Sequence, residues 1–215
     1  MKSSLELERK LASRGFGFVI GIDEAGRGAL AGPVIAVAIM INDNLSIINN
    51  RPLGAVDDSK KLSPKKREKI YETLKAVPAI QWGRGLVSAK VIDRINILQA
   101  TKLAARRAIA NLEKKLGKRF PADKTIVIMD GNQGIDSKFK EMPIVRADGK
   151  VFLCASASIV AKVERDRLMR RYHKIYTRYN FARHKGYPTA LHRRTLKRYG
   201  ACKLHRRTFY PVSGL

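Results

Sequence analysis

Three acidic sites along the chain share one setting, an apolar strand-like run that ends in a carboxylate. They are Ile22-Asp23-Glu24, Met129-Asp130 and, less regularly, Val145-Arg146-Ala147-Asp148. A carboxylate at the end of a buried strand is costly unless it is paired or holds a metal. Adjacent strands lie about 5 Å apart, so acids that end neighbouring strands converge within a few ångströms. Hard oxygen donors gathered in this way suit Mg²⁺ or Mn²⁺. Two such ions about 4 Å apart make a site for in-line attack on a phosphodiester. The plainer alternative is that each acid is a turn residue, and for Asp148, followed by Gly149, that alternative stays open. It fits Asp23-Glu24 less well, because successive strand residues face opposite sides of a sheet. For both to serve one site, one must leave strand geometry, which Gly26 and Gly28 permit.

Other chemistries fail on spacing. Gly26-Arg27-Gly28-Ala29-Leu30-Ala31-Gly32 has its third glycine one residue late for a dinucleotide fingerprint, and Pro33 with a β-branched run follows where a helix should start. The chain has no Gly-x4-Gly-Lys-Ser/Thr phosphate loop and no Gly-x-Ser-x-Gly nucleophile elbow. His173, His184, His192 and His205 lack metal-ligand spacing with cysteine and read as phosphate contacts or helix caps. No small-molecule cofactor is expected.

Elements must carry the acids to one place. Phe18 to Ile22, Pro33 to Ile41, Ile80 to Val87 and Thr125 to Met129 read as strands, and Pro143 to Arg146 as a short one before Asp148. Ser63-Pro64 reads as an N-cap and first helical residue, opening a helix to about Val77. Ser88 and Asn96 are further N-cap candidates; a helix from Ile97 to Leu116 stops at Gly117. A long helix is expected from about Ala155 to Arg178. The pattern predicts an α/β fold, a mixed sheet with helices on its faces.

The 215 residues fit one domain with an appendage or two small ones. Lys+Arg number 44 against 18 Asp+Glu, a formal net charge of +26. Self-repulsion of that size works against a compact state, so it implies a polyanionic partner, most often nucleic acid. An anionic membrane is the rival, but no apolar run reaches the roughly 18 residues that span a bilayer. Met1 to Lys10 is polar and charged, unlike a secretory signal peptide. With Cys154 and Cys202 as its two cysteines, the chain reads as a reduced, cytoplasmic protein without structural zinc.

From Gly21 onward the sequence resembles a known family. Gly21-Ile22-Asp23-Glu24-Ala25-Gly26-Arg27-Gly28, with Leu30-Ala31-Gly32-Pro33-Val34 after it, is similar to the opening signature of ribonuclease HII, the bacterial type 2 ribonuclease H. The similarity continues in order through Asp58-Ser59-Lys60-Lys61-Leu62-Ser63, Ile92 to Leu98 and Met129-Asp130-Gly131-Asn132. It then takes in Ala155 to Val163 with Arg165-Asp166, His184-Lys185-Gly186-Tyr187-Pro188-Thr189, and His205-Arg206 with Phe209. Ordered blocks spanning residues 21 to 209 are far more specific than any one of them.

The resemblance implies a ribonuclease H-like core, a central five-stranded mixed sheet flanked by helices, with a helical basic C-terminal extension. Residues 1–160 would form the core, the first 15 or so loose, and 161–215 the extension packed on it. It implies hydrolysis of the RNA strand of RNA–DNA hybrids and cleavage at single ribonucleotides in duplex DNA, leaving 3′-hydroxyl and 5′-phosphate ends. Asp23, Glu24, Asp130 and Asp148 correspond to the four metal-binding catalytic carboxylates, serving two divalent ions, Mn²⁺ or Mg²⁺. Gly26-Arg27-Gly28 resembles the loop that reads the ribose 2′-OH through backbone groups, and Tyr187 the tyrosine against the sugar at the RNA–DNA junction. Lys60, Asn132, Ser158, Lys162 and Arg165 are implied as further substrate contacts. Recruitment by replication proteins is not readable from the residues. There are departures: Ala29 stands where the family usually has Pro, Ala147 precedes Asp148 where it has Gly, and Gly149 to Cys154 replaces a more polar lead-in. The related ribonuclease HIII subclass has an additional N-terminal domain, for which the twenty residues before Gly21 are too few.

Charge is uneven: Val160 to Leu215 holds 16 Lys/Arg against Glu164 and Asp166. Arg165, Arg170, Arg171, Lys174 and Arg178 recur at spacings that would expose a basic stripe, and Arg193, Arg194, Lys197 and Arg198 form a second cluster. A charge run is commonly a solvated helix face, but the lack of acidic partners favours phosphate contact. A non-catalytic RNA- or ribosome-binding protein would explain the charge, but has no need to hold carboxylates together.

Overall fold

The computed structural model describes residues 3–41, 56 and 62–215. Its centre is a five-stranded sheet of β1 (Phe18–Ala25), β2 (Val34–Ile41), β3 (Ile80–Val87), β4 (Thr125–Asp130) and β5 (Lys140–Ile144), in the order β3-β2-β1-β4-β5. β1 pairs antiparallel with β2 and parallel with β4; β2–β3 is antiparallel and β4–β5 parallel. β2 is an unbroken apolar run because helices cover both of its faces: every residue from Val34 to Met40 is buried.

Strand alternation divides the core. Ile20, Ile22, Val127 and Met129 face one side with Ala100, Ala104, Ala108 and Leu112 of α3 (Ala89–Leu116). Val37 and Ile39 face the other, with Ile159, Val160 and Val163 of α4 (Phe152–Ile175) and Leu74 of α2 (Pro64–Lys75). Each fully buried Val, Leu or Ile on these faces contributes about 1.5–3 kcal/mol. Gly21 lets α4 lie close on the central strand, since a Cβ there would meet the Leu153 backbone.

Several boundaries differ from the sequence expectation. Before β1 lies α1 (Glu6–Ser13), which buries Leu11 against the sheet, and Glu8 accepts the Leu153 amide at the start of α4, 2.9 Å away. That carboxylate lies where exposed helical amides attract negative charge. The expected 97–116 helix is present as the second stretch of α3, separated from a first stretch that begins at Ala89 by a non-helical break at Asn96, φ 62°. Asn96 caps the second part, its side chain accepting from the Gln99 amide at 3.1 Å. The short strand ends earlier than expected, at Ile144; Arg146 adopts a left-handed conformation that turns the chain into a 3₁₀ turn over Ala147–Gly149. α4 begins at Phe152 and ends at Ile175, so it crosses position 160 unbroken. Beyond it lie a 3₁₀ turn (Thr177–Tyr179), α5 (Phe181–His184) and α6 (Ala190–Tyr199).

Candidate active site

The parallel pairing of β1 with β4 matches Ile22 to Met129, so Asp23 and Asp130 are the next residues in step. Ile22 and Met129 pack toward α3, so both aspartates project from the α4 side of the sheet. Asp23 is buried; its Oδ1 accepts the Glu24 amide at 2.7 Å, and Ser158 of α4 hydrogen-bonds its carboxylate. Burial pushes the Asp23 carboxyl well above the ordinary carboxylate range, and the charges of Glu24 and then Asp130 push it the same way. Asp130 Oδ1 accepts the Ala147 amide at 2.7 Å, tying β4 to the 3₁₀ turn. Asp148 is buried in that turn, one residue past the amide that holds Asp130, and is not among the residues lining the cleft.

Asp23, Glu24 and Asp130 line a cleft of about 490 Å³ with Gly26, Arg27, Gly28, Arg67, Ser158, Lys162 and Tyr187. No distortion of β1 is needed to gather them, contrary to the sequence expectation: the strand is regular through Ala25, and the break comes at Gly26, φ 100°. Glu24 stays on the α3 side and pairs with Arg27 at 3.3 Å. It and Asp130 also line an adjoining cleft of about 220 Å³, with Asn132 and Lys102. The acids thus straddle the end of the sheet at one mouth.

Two buried arginines back the Gly26–Pro33 loop. Arg206 gives Nη1 to the Arg27 carbonyl (2.6 Å), Nη2 to those of Gly26 (2.7 Å) and Gly32 (3.0 Å), and Nε to Gly32 (3.1 Å). Arg165 donates to the carbonyls of Pro33, Ala31 and Lys185 at 2.9–3.1 Å. Arg165 was expected on an exposed basic stripe touching substrate; it is instead fully buried, spent on backbone carbonyls. Its Nε occupies the space a Cβ on Gly26 would need. Burial, then the neighbouring charge of Arg165, lowers the Arg206 guanidinium to about 9. With these carbonyls bound from behind, the Arg27–Gly28 segment forms part of the cleft wall.

Tyr187 lines the cleft with Lys162 and Arg165 each 5.1 Å from its ring centre. Its carbonyl is held by a chain of imidazoles. The Cys202 amide donates to His205 Nδ1 (3.0 Å), which leaves the His205 Nε2 proton for His192 Nε2 (3.1 Å) and the His192 Nδ1 proton for the Tyr187 carbonyl (3.0 Å). His184 stacks on His192 at 4.1 Å, accepts the Gly186 amide on Nδ1 and bonds the Tyr179 carbonyl through Nε2. These three histidines are buried among aromatic rings, so neither phosphate contact nor helix capping describes them. Burial lowers His192 and His205 to about 4, keeping them neutral.

Sequence reasoning missed Arg67, one of several cations along α2, and gave Arg206 no role; a fully buried cation leaves no periodic signal. Lys60, with most of its Asp58–Ser63 block, lies outside the described residues.

A family model described as Ribonuclease HII matches residues 20–212. The chain belongs to the ribonuclease HII family. It is 44% identical over 202 residues to the ribonuclease HII of Caldanaerobacter subterraneus subsp. tengcongensis, covering 94% of this chain and 78% of that one. Against that of Polynucleobacter necessarius subsp. necessarius it is 46% identical over 195 residues, covering 91% and 93%. Among solved structures it is similar to the ribonuclease H2 of Pyrococcus horikoshii OT3, with a TM-score of 0.69 and 27% identity over 91% of this chain and 95% of that one. As a ribonuclease HII, the chain is a metal-dependent endonuclease acting on RNA–DNA hybrids.

The donor set fits that dependence. Asp23, Glu24 and Asp130 offer hard oxygens at one mouth, and the Asp23 carboxyl, raised first by burial and then by the charges of Glu24 and Asp130, is a group whose ionised form divalent cations would stabilise. Among the described residues, no three acidic, cysteine or histidine groups form a ready metal cage. An open arrangement suits an ion such as Mg²⁺, which keeps several waters and takes substrate phosphate oxygens as ligands. Among the described residues no helix is long and apolar enough to cross a membrane.

Proposed function

We propose that this ribonuclease HII cleaves at single ribonucleotides within duplex DNA as well as within longer hybrids, leaving 3′-hydroxyl and 5′-phosphate ends. The observation that carries the reading is the convergence of Asp23, Glu24 and Asp130 on one mouth beside Gly26-Arg27-Gly28 and Tyr187. Asp23, Glu24 and Asp130, with Asp148 joining from the turn behind, hold two divalent ions, Mg²⁺ or Mn²⁺. When bound, these neutralise the carboxylates, lower the pKa of water and stabilise charge on the leaving 3′ oxygen.

The remaining steps belong to the chain's own residues. Ser158 and the Glu24 amide fix the Asp23 carboxylate, and the Ala147 amide fixes Asp130, so both keep their aim when charged. The loop at 26–28 presents backbone to the minor groove, where the 2′-OH alone separates RNA from DNA. Arg27, half exposed, reaches a phosphate when it releases Glu24. The Tyr187 ring packs on the next sugar and favours a deoxyribose, since a 2′-OH would crowd it. Lys162 and Arg67 at the wall, and Asn132 in the adjoining cleft, contact the substrate backbone. The extension from residue 161 onward works as part of this one catalytic unit, against the flanking duplex.

A DNA duplex with one embedded ribonucleotide, incubated with Mg²⁺ or Mn²⁺, tests the reading. Cleavage on the 5′ side of the DNA–RNA sugar step is not required by it; cleavage at the ribonucleotide, abolished by EDTA and by Asp130→Asn, is. Cleavage surviving both controls would refute the metal mechanism. Tyr187→Ala is expected to reduce cleavage at the single ribonucleotide more than cleavage of a long hybrid; equal losses would remove its junction role.

A further inference from the structure

One buried carboxylate has no part in the cleavage reading. Glu8, on α1, is fully buried, and its Oε1 accepts the Leu153 amide at 2.9 Å. Its Oε2 has no hydrogen-bond partner among the described residues. Burial raises the carboxyl above its ordinary range, and the Leu153 amide lowers it only in part. A carboxylate so poorly satisfied adds little net stability. What it does is fix a place on the backbone, and the chain just before it fixes the same place. Ser4 and Val151 form an isolated parallel bridge. The Ser4 amide donates to the Lys150 carbonyl at 3.2 Å, and the Phe152 amide donates to the Ser4 carbonyl at 3.1 Å.

Residues 150–153 join the 3₁₀ turn to α4, and the supports of both aspartates start from this joint. Toward β4, the Lys150 and Val151 amides donate to the Ala147 carbonyl at 3.0 and 2.8 Å, and the Ala147 amide holds Asp130 Oδ1 at 2.7 Å. Toward β1, the Leu153 backbone lies against Gly21, two residues before Asp23. One turn further along, α4 brings Ser158 to the Asp23 carboxylate. Resting on the reading that Asp23 and Asp130 hold the divalent ions, we propose that Glu8 is a positioning residue, which sets the spacing of the two aspartates by holding the joint from which Ala147 and Ser158 reach them. It touches neither ion nor substrate. Loss of the groups that orient ligating side chains typically weakens metal binding roughly 10–100-fold, and Glu8 acts one contact further out, so about tenfold is expected.

The test measures Mn²⁺ binding to the full-length protein by titration calorimetry, without nucleic acid, beside kcat and KM on a duplex with one ribonucleotide. Glu8→Met fills similar space but removes the acceptor. It should weaken Mn²⁺ binding about tenfold and lower kcat, with KM for the duplex within about twofold of the parent. Glu8→Gln, which keeps an acceptor oxygen, should recover most of the affinity. Glu8→Asp keeps the charge on a shorter arm and should fall between the two; it carries the test if Glu8→Met does not fold. Leu112→Ala truncates the core about two turns beyond the α3 residues that line the adjoining cleft. It lowers stability without touching the joint, and should leave Mn²⁺ binding within about twofold of the parent. Unchanged Mn²⁺ binding in the folded Glu8 variants, or an equal loss in Leu112→Ala, would overturn the proposal and leave the nuclease reading intact. A parent protein that binds no Mn²⁺ and cleaves in EDTA would instead remove the metal reading and this inference with it.

Discussion

Gly26 and Gly28 flank the same arginine but answer to different constraints. Gly26 is set by the fold, with φ at 100° and the Arg165 guanidinium filling the space behind it. Gly28 has open space where a Cβ would go, so the protein itself does not demand glycine there. Gly26→Ala should therefore cost about 1–3 kcal/mol of stability, read by denaturant unfolding. Gly28→Ala should stay within about 0.5 kcal/mol of the parent. If the loop reads the sugar through its backbone, Gly28→Ala should nevertheless raise KM for a single-ribonucleotide duplex roughly tenfold, about 1.4 kcal/mol; an unchanged KM would remove Gly28 from the reading surface. Arg206→Met is a sharper case. It strips donors from the carbonyls of Gly26, Arg27 and Gly32 but also removes a buried charge, so the net loss should be about 2–4 kcal/mol.

The elements that carry these residues are coupled by polar contacts placed at their ends. Glu8 of α1 meets the first turn of α4, Ala147 meets the last residue of β4, and the imidazole chain joins the 202–205 segment to α6 and to the Tyr187 carbonyl. That chain works only with neutral rings, since a protonated His192 or His205 has no lone pair to accept with. Both groups are lowered to about 4 in the folded protein, because of burial first and then of a neighbouring imidazole, His184 for His192 and His192 for His205. The unfolded chain therefore takes up protons first as pH falls. The stabilisation is complete above about pH 6.5 and is lost between there and about pH 4, on the order of 3 kcal/mol. Urea midpoints between pH 7 and 4.5 should fall steeply for the parent and less for His192→Asn; parallel curves would show that the loss comes from other groups.

For the molecule as a whole, the +26 charge is concentrated where carboxylates are absent, the segment after Asp166. If that segment tracks phosphates, binding of a ribonucleotide-containing duplex to Asp130→Asn protein should weaken with a log–log salt slope near −5 for about six contacts. A flat response would count against phosphate tracking. The family, the mixed sheet and the strand-end acids were legible in the sequence, since they depend on local alternation and on ordered short motifs. The fates of Arg165 and of the histidines were not. Helical spacing places Arg165 on a stripe with Arg170 and Arg171, yet its guanidinium is taken up by the carbonyls of Ala31 and Pro33 at the end of the 26–33 loop. Only the packing of that loop tells a buried cation from an exposed one. The strand at Pro143 was expected to run on through Val145 and Arg146 because Val145 is β-branched, whereas it ends at Ile144 and the left-handed Arg146 belongs to the turn that delivers Ala147 to Asp130.

The residues alone determined which groups are available: carboxylates closing apolar strands, a glycine-flanked arginine, and cations without acids near the C-terminus. Tertiary structure decided which of them meet. Asp23 and Asp130 are more than a hundred residues apart, and only the parallel pairing of β1 with β4 puts them side by side. Local periodicity reports which face of an element a residue occupies, whereas the partner across that face depends on how distant segments pack, and the burial that sets charge and hydrogen bonding follows from the packing.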